Sequence, residues 1–234
     1  VSAVGNLRHD HVRDLVEQRF GHLKPNGSRV LETPPQVVPK VLIRNKELEQ
    51  SHICLGTNSF QQDHADRYTS YVLNTLLGGS MSSRLFQNVR EKRGLAYAVF
   101  SGMSAYRDAG QFTIYAGCAN EAVGEVVDLV VEELRTLKRT PVPAAELQRA
   151  KDHLKGSLML GLENTASRMS HVARQEMYFE RQVGLDETLK GVESVTADDV
   201  QRVSGELFVD GGLSATVLGN VNGLQMPRER LALQ

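Results

Sequence analysis

Two strand-like runs, Leu95–Ser101 and Gln111–Gly117, are joined by a loop containing Arg107-Asp108-Ala109-Gly110, and a strongly amphipathic helix follows them. In that helix Val123, Val126, Val127, Val130, Leu134 and Leu137 recur in helical register, and Pro141 ends the run. A helix with one apolar stripe must bury it against another layer, and strands with one apolar face supply that layer. Other strand-like runs, Lys40–Arg44, Ser51–Phe60 and Leu213–Leu218, are mixed with helices without regular βαβ alternation. This pattern predicts an α+β fold in which an antiparallel sheet packs against helices.

Punctuation residues divide the chain. A short strand is expected at Ser2–Gly5 and a helix from Asp10, read as its N-cap, to Gly21, with Val12, Leu15, Val16 and Phe20 on one side. Residues 25–39 hold prolines 25, 34, 35 and 39 among Gly and Ser, and read as a linker. Beyond it, Asp63 is placed to cap a helix with Ala65, Tyr68, Val72, Leu76 and Leu77 on one face, ended by Gly78-Gly79. A short helix over residues 83–93 is closed by Gly94 at the position after its C-cap. Leu147, Ala150, Leu154, Leu158 and Leu162 mark a further helix, and Met169, Val172, Ala173 and Met177 another. Thr196 with Asp199 forms a capping-box-like start to a helix through Val200, Val203, Leu207 and Phe208. The run Ser2-Ala3-Val4-Gly5-Asn6 is echoed by Ser214–Asn220, both apolar and both closing in Gly-Asn. The echo and the linker together suggest a tandem repeat: residues 1–24 as the tail of a first copy, 25–39 as the connection, and 40–224 as the second copy.

Composition removes several function classes. With 27 basic and 28 acidic residues in 234, the net charge of −1 gives no reason to expect nucleic acid or an anionic membrane as partner. No apolar run is long enough to suggest a membrane span, and the first residues do not form a signal peptide. Cys54 and Cys118 lie outside any CxxC or Cys/His cluster and read as reduced, buried residues. None of the seven histidines has a partner at the spacing that places two rings on one helix face, and HxxEH is absent; His153 and His171 read as solvated. No metal site is therefore expected in this chain. Gly78–Ser83 lacks the Gly-Lys-Ser/Thr of a phosphate loop and reads as a helix connection, and no Gly-x-Ser-x-Gly elbow is present.

Arg90 and Tyr97 flank the corner at Gly94. Arg90 falls in the last turn of a helix whose apolar side is Leu85, Phe86 and Val89, and simple alternation puts Tyr97 on the face of Leu95 and Val99. Two readings of the pair follow from the residues alone. A guanidinium and a phenol converging on one point would suit a peptide carbonyl or the oxyanion formed when it is attacked. Alternatively, Arg90 complements the helix C-terminus beside Lys92 and Arg93, and Tyr97 fills the core.

The stretch Gly78–Gly117 resembles the signature of the C-terminal repeat of the M16 metallopeptidases, the insulinase, pitrilysin and mitochondrial-processing-peptidase family. The form RLFxxxREKxGLxYxV is matched at Arg84-Leu85-Phe86, Arg90-Glu91-Lys92, Gly94-Leu95 and Tyr97-Ala98-Val99. The resemblance extends over essentially the whole chain and is closest to compact bacterial members built from two repeats. It implies a LuxS/MPP-like repeat, and a zinc site made by an HxxEH motif on the first repeat. It also implies that Arg90 and Tyr97 reach the substrate from the second. On that basis the chain is the substrate-binding half of a zinc endopeptidase and is inactive alone. Its partners would be a peptide and the zinc-bearing repeat or a partner subunit, and its compartment the bacterial cytoplasm or periplasm. The resemblance also reaches non-catalytic scaffold and partner subunits of the same fold. Dimerisation of the isolated chain through an orphaned inter-lobe face is a further expectation.

Overall fold

The computed structural model describes residues 1–24 and 33–234. Its strands are β1 (Val41–Asn45), β2 (Ser51–Ser59), β3 (Ala96–Ala105), β4 (Gly110–Cys118) and β5 (Ser214–Gly219). They form one sheet in the order β1-β5-β2-β4-β3, which makes β3 an edge. β2 pairs antiparallel with both β4 and β5, and β3 with β4. β1 and β5 run parallel, so the sheet is mixed, not antiparallel throughout. All the helices from residue 67 to residue 207 lie between β1 and β5 in the chain, so no tight hairpin, of the kind that joins β3 and β4, requires that pair to be antiparallel.

The helices are α1 (His9–Phe20), α2 (Arg67–Leu77), α3 (Val123–Arg139), α4 (Ala144–Gly161), α5 (Thr165–Phe179), α6 (Leu185–Glu193) and α7 (Ala197–Leu207). Alternation along β2 turns Ile53, Leu55 and Thr57 inward and His52 and Cys54 outward. Phe112, Ile114 and Ala116 of β4 and Ala215 and Val217 of β5 share the inward face. Against it lie α2, α3 and α7, and the residues expected on the α3 stripe, Val123 to Leu137, are all buried. Phe112 and Phe208 meet edge to face with ring centroids 5.5 Å apart at the centre of this layer. α7 begins as its sequence implies: the Thr196 hydroxyl accepts from Asp199 N–H, and Asp199 accepts from Thr196 N–H. The packing continues past residue 224, because Met226, Leu231 and Leu233 are buried in the same core and Arg135 donates twice to the Ala232 carbonyl.

Several local expectations differ from the structure. Ser2–Gly5 forms no strand; a strand needs a ladder partner, and among the described residues this segment has none. Asp10 is inside α1, which starts after Arg8 without a side-chain cap. Asp63 accepts from Gln61 instead of capping α2, whose N-cap is Asp66. In α1 no residue is buried, and Leu15 and Phe20 are exposed although spaced as an apolar face. α5 likewise buries only Gln175, leaving Met169 and Met177 exposed. Residues 25–32 of the expected linker lie outside the described residues.

Replacing Phe208 by Ala removes a fully buried ring, and is expected to cost about 3–5 kcal/mol in urea denaturation. A second prediction concerns pH. Arg202 of α7 bonds both oxygens of Asp66 at the start of α2, at 2.5 and 3.2 Å, and holds that carboxyl below its usual pKa against the opposing effect of burial. A carboxylate depressed in the folded state contributes stability above its unfolded pKa and loses it as pH falls through the folded value. The stability gap between the chain and Arg202→Gln should therefore be full above about pH 4 and shrink below it; a gap unchanged at about pH 2 contradicts the linkage.

Candidate functional site

The corner between α2 and β3 is built from backbone. α2 ends at Gly78, whose carbonyl accepts from Ser101 N–H at 3.2 Å. A Cβ there would lie 2.4 Å from that nitrogen, so only glycine permits the approach. After Gly79 the chain turns back through a short helical segment whose Phe86–Glu91 portion is π-helical, with Lys92 N–H bonding to the Gln87 carbonyl. Gly94 closes it with φ +63°, donating to the Arg90 carbonyl, and Leu95 N–H bonds to the Val89 carbonyl. The wide π-turn and left-handed glycine together bring the helix end alongside the first residues of β3.

Arg84 anchors this segment to the helical layer. Its guanidinium bonds both oxygens of Glu146 on α4, at 2.7 and 3.0 Å, and lies 3.9 Å from Glu133 on α3. Asn88 bonds to Glu133 from the next turn. With only 14% of the Arg84 side chain exposed, the bidentate pair is partly desolvated and geometrically fixed. Leu85 and Val89 are fully buried between these contacts.

The structure brings Arg90 and Tyr97 together. The Arg90 guanidinium carbon lies 5.5 Å from the Tyr97 ring centroid and 4.8 Å from that of Phe86. Tyr97 does not share the face of Val99, however. Ala96 pairs with Cys118 and Ala98 with Gly117, leaving Tyr97 as an extra residue in a bulge. Ala96 and Val99 are buried, while Tyr97 is 76% exposed. The bulge turns the phenol out of the core and towards Arg90, the re-aiming that such irregularities provide. That exposure is incompatible with Tyr97 as core filler. Among the described residues neither the Arg90 guanidinium nor the Tyr97 hydroxyl has a hydrogen-bond partner; the nearest acid, Glu91, is 3.8 Å from Arg90. Both groups therefore have unused hydrogen-bond donors.

Phe86 is the participant that residue reading left among the apolar side chains. Its half-buried ring carries one side of Arg90, and a guanidinium over two rings loses less freedom when it bonds a ligand. Phe100, Tyr115 and His52 extend the same open sheet face. Phe100 and Tyr115 lie 5.0 Å apart across β3 and β4, and the Tyr115 hydroxyl is 2.8 Å from His52 Nδ1.

Other expectations separate. Cys118 is buried, and burial pushes its thiol up to about 11. Cys54 is exposed, because strand alternation points it to the uncovered face, and its pKa too is raised by partial burial. Neither is a thiolate nucleophile at neutral pH. His171 is half-buried: its Nε2 contacts Gln175 at 2.8 Å, and burial followed by the nearby Arg174 charge lowers its pKa. Among the described residues no three His, Cys, Asp or Glu side chains are grouped to hold a metal ion.

Comparison with known proteins gives the family. The family model of the peptidase M16 inactive domain matches residues 1–154. An uncharacterized zinc protease of Bacillus subtilis is 39% identical over 210 residues, covering 90% of this chain and 51% of that protein. A second, from Mycobacterium tuberculosis, is 35% identical over 224 residues, covering 94% and 51%. The chain belongs to the M16 peptidase family. It spans about half the length of these relatives. Among solved structures, a Helicobacter pylori protease superposes with TM-score 0.78 at 25% identity, over 92% of this chain and 54% of that one. A peptidase M16 inactive domain from Pseudomonas fluorescens has the same fold, with TM-score 0.82 at 22% identity over 96% and 54%. No helix among the described residues is long and apolar enough to cross a membrane.

Because Tyr97 is exposed and Arg90 half-exposed, Arg90→Ala and Tyr97→Phe should each change stability by less than about 0.5 kcal/mol. Arg84→Ala, which leaves Glu146 without its partner, should cost on the order of 3 kcal/mol. Thermal denaturation of the three variants checks the ordering.

Proposed function

We propose that this chain is the substrate-gripping half of a zinc-dependent endopeptidase. What carries the reading is the juxtaposition of Arg90 and Tyr97: two donors with free hydrogen-bonding capacity, aimed outwards by a bulge and held by an anchored turn. A peptide carbonyl in front of them would accept from the guanidinium and the phenol. As that carbonyl is attacked and its oxygen gains charge, both bonds strengthen, because charge-assisted hydrogen bonds are the stronger ones. Phe86 behind Arg90 limits how far the guanidinium can swing during that change.

Among the described residues no three His, Cys, Asp or Glu side chains are grouped to hold a zinc ion. The metal is instead assigned to the half of the full-length protein that this chain does not span, a reading supported by the zinc-protease names of relatives about twice as long. In the same reading residues 1–24 are the tail of the preceding repeat, residues 25–39 the connection, and the domain from residue 40 the second repeat. Both the zinc-bearing repeat, or a partner subunit carrying it, and the substrate peptide are partners of the open sheet face.

In the full-length protein, Arg90→Ala and Tyr97→Phe are each expected to lower kcat/KM for an unstructured peptide on the order of a hundredfold. The 234-residue chain alone is expected to hydrolyse no peptide. Unchanged turnover in both variants would overturn the gripping role and leave a non-catalytic scaffold of this fold as the better description.

A further inference from the structure

Where β3 ends, its last residues meet α2, α4 and α5 around a cavity of about 520 Å³. That volume falls in the range of sites that hold small organic ligands. The cavity is at the opposite end of β3 from Tyr97 and shares no residue with the Arg90 corner. Apolar and aromatic walls come from Met103, Leu158, Tyr178 and Phe179. Two guanidinium groups also line it, Arg67 from α2 and Arg174 from α5, and no Asp or Glu does among the described residues.

Arg67 is held in place without a carboxylate. Its guanidinium carbon lies 4.4 Å from the Tyr68 ring centroid and 5.3 Å from that of Phe179. It donates to the His64 carbonyl and the Tyr68 hydroxyl, each at 3.2 Å. With five donors in its fork, it retains capacity for a further acceptor. The acid whose field reaches it, Glu187, is itself held by Arg181 through both oxygens.

Neutral donors complete the site. The Tyr71 hydroxyl accepts from Gln62 Nε2 at 3.1 Å, so its own proton is free to donate. Gln175 is oriented by the Val183 backbone: Val183 N–H donates to Oε1 at 3.0 Å, and Nε2 donates to the Val183 carbonyl at 2.9 Å. The contact between Gln175 Nε2 and His171 Nε2 therefore has the imidazole as acceptor, which places its proton on Nδ1. Two cations and the Tyr71 hydroxyl, set in apolar walls with no acid among the described residues, are short of an acceptor.

We propose that this cavity binds an organic carboxylate carrying an aromatic or branched-apolar body. The carboxylate takes the planar fork of a guanidinium in two parallel bonds. The body fills the space between Leu158, Met103 and Tyr178, where removing apolar surface from water is favourable. A bare phosphate would satisfy the arginines but leave those walls wet.

The test is an amide NMR titration of the full 234-residue chain with 3-phenylpropanoate, 3-phenylpropanamide and inorganic phosphate. The acid should perturb α2 and α5 with a Kd of about 1 mM or tighter, and the amide should bind about tenfold more weakly or worse. Arg174→Gln, at an exposed position, should weaken the acid about tenfold and leave the amide unchanged. Leu158→Phe, which fills the cavity, should weaken both. Equal binding of acid and amide, or unaltered acid affinity in Arg174→Gln, would overturn the proposal. Phosphate binding as tight as the acid would overturn the ligand class. Arg67→Gln serves as a second charge variant provided its thermal midpoint matches the parent.

Discussion

Among the described residues the helices cover one side of the sheet. α2, α3 and α7 all lie against the inward residues of β2, β4 and β5, and the core formed there includes Phe112, Phe208 and the whole stripe of α3. Burial of this size is the main favourable term in the fold. It leaves the opposite face to His52, Phe100, Tyr115 and, through a bulge, Tyr97. Any ligand reached by that face must be held by side chains that the core does not need, and Arg90 and Tyr97 are such side chains.

How a half-exposed arginine becomes a defined donor is decided one turn earlier. Arg84 spends its guanidinium on Glu146 and approaches Glu133, fixing the π-helical turn against α3 and α4. Phe86 and Tyr97 then flank Arg90. The second arginine site, under α5, uses the same device: Arg67 lies against Tyr68 and Phe179 without an acid. In both places aromatic rings flank the guanidinium, and no carboxylate holds it in a bidentate pair among the described residues.

Much of this was legible in the residues. The α3 stripe, the Gly94 turn and the Thr196–Asp199 box depend on local spacing and backbone conformation, and each appears as expected. Proximity of Arg90 to Tyr97 was also readable, since one glycine hinge separates them. The orientation of Tyr97 was not. Strict alternation puts it with Val99, and only the pairing of Ala96 and Ala98 with β4 reveals the extra residue. The parallel β1–β5 pair was hidden for a related reason, because strand direction depends on connections that local pattern does not encode. The caps assigned to Asp10 and Asp63 failed because Asp at a helix approach has competing partners. The exposed side of α1 shows that periodicity reports an apolar face without showing what covers it.

The central claim is that Arg90 and Tyr97 act together on one substrate oxygen. A double-mutant cycle in the full-length protein tests it most directly, with kcat/KM measured for Arg90→Ala, Tyr97→Phe and the combined variant. Two donors to a single developing charge should be strongly non-additive, so that the double variant is little worse than the poorer single one. Losses that multiply independently would contradict a shared target and separate the two side chains into unrelated roles.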